Sequence, residues 1–77
     1  MWQEQNNTLT KEFVFKDFKE ALAFVDQVGE LAEKLNHHPD IQLSWGKVVV
    51  TLQTHSEGKV TAKDRELAQG IDAITER

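Results

Sequence analysis

The sequence predicts an α+β fold: a four-stranded antiparallel sheet with two helices packed on one face, in the order β-β-α-β-β-α. Three observations carry this expectation. Apolar and polar residues alternate from Leu9 to Lys16 and again from Ile41 to Gln53, which is the period of half-buried strands. Between these runs, and again after Thr61, apolar residues recur at helical spacing. Gly46 interrupts the later alternating run at its middle, which divides it into a hairpin.

A short first strand from Trp2 to Gln5 turns at Asn6-Asn7 into the second. In that second strand Leu9, Phe13 and Phe15 face one side, and Thr10, Glu12 and Lys16 face the other. From Asp17 to about Leu35 the helical stripe is Phe18, Leu22, Val25, Ala32 and Leu35, joined by Ala21, Val28 and Leu31. Asp17 caps the start of this helix, and Pro39 stops it from running much further. Ile41, Leu43 and Trp45 then alternate with Gln42 and Ser44, while Val48, Val50 and Leu52 alternate with Thr51 and Gln53. Thr61, followed three residues later by Asp64, resembles a capping box with an aspartate in place of the usual Glu or Gln. The second helix carries Leu67, Ala68, Ile71 and Ile74 on one stripe and ends near Thr75.

The chain has 77 residues and no linker, repeat or low-complexity segment, so residues 1–77 are expected to form a single domain. A chain this short hides only about 60% of the surface its unfolded form exposes. Its stability is therefore expected to lean on a homodimer or homotetramer interface. No apolar run approaches the roughly 20 residues of a membrane span, and no signal-peptide pattern opens the chain, which places it in the cytoplasm. Nine basic residues against thirteen acidic ones leave no clustered basic footprint, so direct nucleic-acid binding is not expected. The absence of cysteine removes disulfides, thiol catalysis and thiolate metal sites.

The chemistry is concentrated between Glu33 and Asp64, a stretch holding all three histidines, His37, His38 and His55. Imidazole is the main side chain here able to exchange protons near neutral pH. Glu33 and His37 are four apart at the end of the first helix, a spacing that puts both on one helical face, with the carboxylate orienting the ring. His38 precedes Pro39, so its ring leaves the chain in another direction. His55 lies beyond the last strand between Thr54 and Ser56, whose hydroxyls can orient a ring or a ligand. Taken singly, each residue also has a simpler role. His37 or His38 caps a helix end, Glu33 belongs to a solvated face, Asp64 starts a helix, and Trp45 fills a core or an interface. A metal site is not expected, because adjacent residues at a helix exit diverge and seldom bind one metal together. The four glycines are dispersed, which excludes phosphate-loop and dinucleotide fingerprints.

Taken jointly, the spacing is more specific. Glu33, three residues, His37-His38-Pro39, five residues, Trp45, nine residues, His55, eight residues and Asp64 resemble the signature of the pterin-4a-carbinolamine dehydratases. The runs Phe13-Val14-Phe15-Lys16-Asp17-Phe18, Ala32 to Asp40, Thr54-His55 and Thr61 to Asp64 with Leu67-Ala68 are similar as well, so the resemblance covers about residues 9 to 74. The sequence departs from the family pattern at Ile41, where animal members have tryptophan, and at Gly58-Lys59-Val60-Thr61, where the loop usually reads glycine, glycine, leucine, threonine. Many members also have an extra N-terminal segment, often helical, that is not seen here.

The resemblance implies a cofactor-independent hydro-lyase that converts 4a-hydroxytetrahydrobiopterin, or a related 4a-hydroxytetrahydropterin, to quinonoid dihydropterin and water in tetrahydrobiopterin recycling. It implies His37, oriented by Glu33, as the principal acid/base group, His55 as the second proton-transfer group, and His38 as a holder of the pterin. Asp40, Thr54 and Ser56 are implied pterin contacts, and Asp64 supports the loop. The resemblance also implies an alternative, a non-catalytic protein-interaction, assembly or transcriptional-cofactor module of the same fold.

Overall fold

The strongest alternation in the chain ends up at the centre of the sheet. The computed structural model describes residues 1–75, so the last two positions of the expected 1–77 domain lie outside the described residues. The elements are β1 Gln3–Gln5, β2 Thr8–Val14, α1 Phe18–Leu35, β3 Asp40–Ser44, β4 Lys47–Leu52 and α2 Ala62–Thr75, in the predicted order. They build one sheet of order β1-β2-β4-β3 in which every neighbouring pair is antiparallel. The crossover through α1 places β3 at an edge, and β4 returns to pair with β2 from Leu9↔Leu52 to Val14↔Lys47.

Both helices cover the same face. Leu9 and Phe13 of β2 and Val48, Val50 and Leu52 of β4 meet Ala21, Phe24 and Val28 of α1 and Leu67, Ala68 and Ile71 of α2 in one core. Phe24 anchors it, with its ring 4.8 Å from that of Phe13 and 5.1 Å from that of Phe15. Of the predicted α1 stripe, Ala21, Val28 and Ala32 are buried and Val25, Leu31 and Leu35 pack against the core, but Phe18 and Leu22 are exposed and Phe24, outside the predicted stripe, is buried. Apolar residues spread over more than half the helix circumference, and the sheet selects the part that includes Phe24. Trp45, expected in a core or an interface, stands 69% exposed in the β3–β4 turn and is no part of this core.

Lys11 faces the helices despite its charge, and its surroundings compensate for that. Its ammonium sits 2.8 Å from Asp72 of α2 and over the Phe13 ring, while Trp2 donates its indole N–H to the same carboxylate at 3.1 Å and packs edge-on against Phe13. This cluster ties the β1–β2 hairpin to the C-terminal half of α2.

Local signals set the turns and caps. Asn6 and Asn7 both take positive φ, 51° and 63°, which suits a two-residue hairpin loop twisted with its strands. Asp17 accepts the Glu20 N–H at 2.8 Å, the predicted N-cap. At Gly46 the backbone carbonyl accepts the Phe15 N–H at 2.8 Å, and a Cβ there would sit 2.8 Å from the Phe15 carbonyl oxygen. Gly46→Ala is therefore expected to lower stability by about 1–3 kcal/mol, since backbone on both sides must shift. Urea unfolding monitored by tryptophan fluorescence measures this directly, and an unchanged midpoint would contradict the close approach.

Candidate active site

The end of α1 determines where the paired histidines go. The helix closes at Leu35, and Asn36 adopts the left-handed conformation with φ 53°. The Asn36 N–H donates to the Glu33 carbonyl and the His37 N–H to the Ala32 carbonyl, the two bonds of a Schellman motif. Because the chain leaves the helix before residue 37, the four-residue spacing from Glu33 no longer places His37 on the same face. His37 turns instead toward the start of α2. The helices run antiparallel there: Leu31 lies against Gly70, and His37 meets Asp64.

Asp64 is the buried centre of the site, at 0% exposure. Its Oδ1 is 2.5 Å from Nε2 of His37, which is 13% exposed. Its Oδ2 accepts the Thr54 hydroxyl at 2.8 Å and the Thr61 N–H at 2.9 Å. One arm of the expected capping box is thus formed, the Asp64 carboxylate reaching back to the Thr61 N–H; the Thr61 hydroxyl accepts from the Lys63 N–H at 3.3 Å, and the Asp64 N–H donates to the Thr61 carbonyl. The hydroxyl directions follow. Thr54 spends its single proton on Asp64, so Thr61 must donate across the 2.6 Å contact to Thr54.

Burial pushes the Asp64 carboxyl up, but the hydrogen bonds from His37, the Thr61 N–H and Thr54, with the charge of His37, outweigh it and hold the group below its ordinary value of 3.8. At neutral pH Asp64 is therefore ionised and can only accept. The shared proton belongs to Nε2 of His37, leaving Nδ1 as the ring atom available to exchange a proton.

The predicted pairing of Glu33 with His37 is corrected by this geometry. Glu33 bonds His38 through Oε2 and Nε2, and both side chains are exposed, so water screens the pair. His55 is exposed on the loop after β4, one residue past buried Thr54. That loop is held by Thr54 N–H to the Lys59 carbonyl at 3.0 Å, and by the Glu57 and Gly58 N–H groups to the Thr54 carbonyl at 2.9 and 2.8 Å, with Gly58 at φ 66°. Ser56 lines a shallow hollow with Thr54, Glu57, Thr61, Ala62 and Lys63. Asp40 is exposed at the first position of β3, opposite Thr51. The larger hollows, between α1 and α2 and beside Phe13 and Phe15, contain no histidine. Among the described residues no three His, Asp or Glu side chains are grouped as metal ligands, and no helix is long and apolar enough to cross a membrane.

The partnership of Asp64 with His37 was not legible in the sequence, where Asp64 carried a capping signal, a place in the family signature and the implied role of supporting the loop. An acidic residue at the third position of a helix is unremarkable until the end of another helix is docked beside it.

The family model described as pterin 4 alpha carbinolamine dehydratase matches residues 1–74. A protein from Sulfolobus acidocaldarius, provisionally named a pterin-4-alpha-carbinolamine dehydratase, is 47% identical over 73 residues, which are 95% of this chain and 80% of that one. The crystal structure of a transcriptional coactivator/pterin dehydratase from Brucella melitensis superposes with a TM-score of 0.90 at 43% identity, covering 95% of this chain and 80% of the other. A pterin dehydratase-like protein identified as a RuBisCO assembly factor in the alpha-carboxysome superposes with a TM-score of 0.77 at 27% identity, over 95% of this chain and 84% of the other.

Proposed function

The chain belongs to the pterin 4 alpha carbinolamine dehydratase family, and from that premise we propose that it removes water from a 4a-hydroxytetrahydropterin, such as 4a-hydroxytetrahydrobiopterin, to give the quinonoid dihydropterin. In this reading it is a cytoplasmic lyase of tetrahydrobiopterin recycling, working as a homodimer or homotetramer without a cofactor. The observation that carries the reading is the His37–Asp64 pair, a nearly buried imidazole held through Nε2 by an ionised carboxylate.

The reaction asks for two proton movements. The C4a oxygen takes a proton and leaves as water with the electron pair of the C–O bond, while the N5–H bond gives up its proton and its electrons form the C4a–N5 double bond. The proton gained and the proton lost balance, so imidazoles suffice for both. His37 exchanges its proton at Nδ1 and is the principal acid/base group. His55 is the second, and its place on a separate loop supports an approach from another side of the ring. His38, steadied by Glu33, holds the pterin, and Asp40 and Ser56 supply polar contacts. General acid and base catalysis of this kind contributes about 100-fold to 10,000-fold.

The test is stopped-flow absorbance on freshly generated 4a-hydroxytetrahydropterin. The wild-type chain is expected to accelerate its dehydration over buffer at matched pH. A second reading, a non-catalytic assembly module, is favoured by the likeness to the RuBisCO assembly factor. Failure of well-folded protein to accelerate the reaction would select it.

A further inference from the structure

Thr54 was expected to contact the pterin, yet every polar atom it has is already engaged inside the protein. Its N–H donates to the Lys59 carbonyl and its own carbonyl accepts from Glu57 and Gly58. Its hydroxyl donates to Asp64 and accepts from Thr61. The residue is only 6% exposed. A ligand would find no free donor on it, because its one hydroxyl proton is committed to Asp64.

We infer that Thr54 is a positioning residue: its hydroxyl orients the Asp64 carboxylate so that Oδ1 stays aimed at Nε2 of His37, while its backbone anchors the loop that carries His55. One residue then couples the two imidazoles of the proposed reaction without touching substrate. The Thr61 hydroxyl completes the device by donating to Thr54, which directs the Thr54 proton to Asp64. The only titratable side chain hydrogen-bonded to Asp64 among the described residues is His37, and its other two partners are neutral. The catalytic part of this inference rests on the dehydratase reading; the coupling of Thr54 to Asp64 does not.

The test compares Thr54→Val, which keeps shape and loses the hydroxyl, with Thr54→Ser, which keeps the hydroxyl. Two readouts are taken: stopped-flow dehydration, and the titration of the Asp64 carboxyl by NMR on protein carrying carbon-13 aspartate. In Thr54→Val, kcat is expected to fall on the order of tenfold with KM unchanged, and Asp64 to titrate at higher pH than in wild type. Thr54→Ser is expected to restore both. Thr54→Cys, whose thiol donates weakly, is expected to lie between them and carries the test where the valine variant does not fold. A raised KM with kcat preserved would make Thr54 a substrate contact and overturn the inference, as would an Asp64 titration that does not move. Absence of dehydration by wild type would overturn the proposed reaction alone, and the Asp64 titration would still decide the coupling.

Discussion

His37→Ala is expected to lower kcat for pterin dehydration by about 100-fold to 10,000-fold, the range of a positioned acid/base group. The alanine removes the ring whose Nε2 bonds Asp64 and whose Nδ1 is left to exchange a proton. The loss should appear in kcat and in kcat/KM alike, because the group acts on the transition state and not on binding. The variant also takes from buried Asp64 one of its hydrogen-bond partners, so its fold has to be verified by circular dichroism before rates are compared. Glu33→Gln supplies the contrast. Glu33 is exposed and bonds His38, so its replacement is expected to change kcat far less than His37→Ala does. Equal losses from the two variants would return Glu33 to the role the helical spacing suggested for it.

Removing the Asp64 carboxylate is expected to have the largest effect on stability. Asp64→Ala strands the Thr61 N–H, the Thr54 hydroxyl and His37 Nε2 in the interior, and loss of one partner from a buried, hydrogen-bonded pair costs about 3–5 kcal/mol. For a domain of this size that is a large part of the whole stability, roughly 5–15 kcal/mol in general. Urea unfolding at neutral pH measures it. The pH dependence separates the charge from the shape. The folded carboxyl titrates below its ordinary value of 3.8, so the unfolded chain takes up the proton first as pH falls. The stabilisation is therefore complete above the unfolded value and disappears as pH drops through the folded one. Asp64→Asn, which cannot ionise, is expected to show a flatter fall in urea midpoint over that acid range than wild type. Parallel curves for the two proteins would place the acid sensitivity in other carboxylates.

Much of the fold was legible because its determinants are short-ranged. The alternation around Leu9 and Phe13 and around Val48 and Val50, the Asp17 cap, the Asn6-Asn7 turn and the Thr61–Asp64 capping box each depend on residues a few positions apart. The α1 stripe was read less well. Phe18, Leu22 and Phe24 are all apolar, and only docking on the sheet decides that Phe24 goes inside. Trp2 was read only as part of a short first strand, and its role follows from Asp72, seventy positions away in the chain.

The candidate site divides in the same way. The sequence alone determined which side chains are present, their order along the chain and the elements that carry them, because backbone period and capping chemistry act locally. Tertiary structure alone decided the partners. Asn36 in the left-handed conformation ends α1 before helical spacing can join Glu33 to His37, and the antiparallel docking of α1 on α2 gives His37 to Asp64 and leaves Glu33 to His38. A hydrogen bond requires two atoms within about 3 Å, and the approach of residue 37 to residue 64 is set by the packing of the helices on the sheet, which no short window of sequence contains.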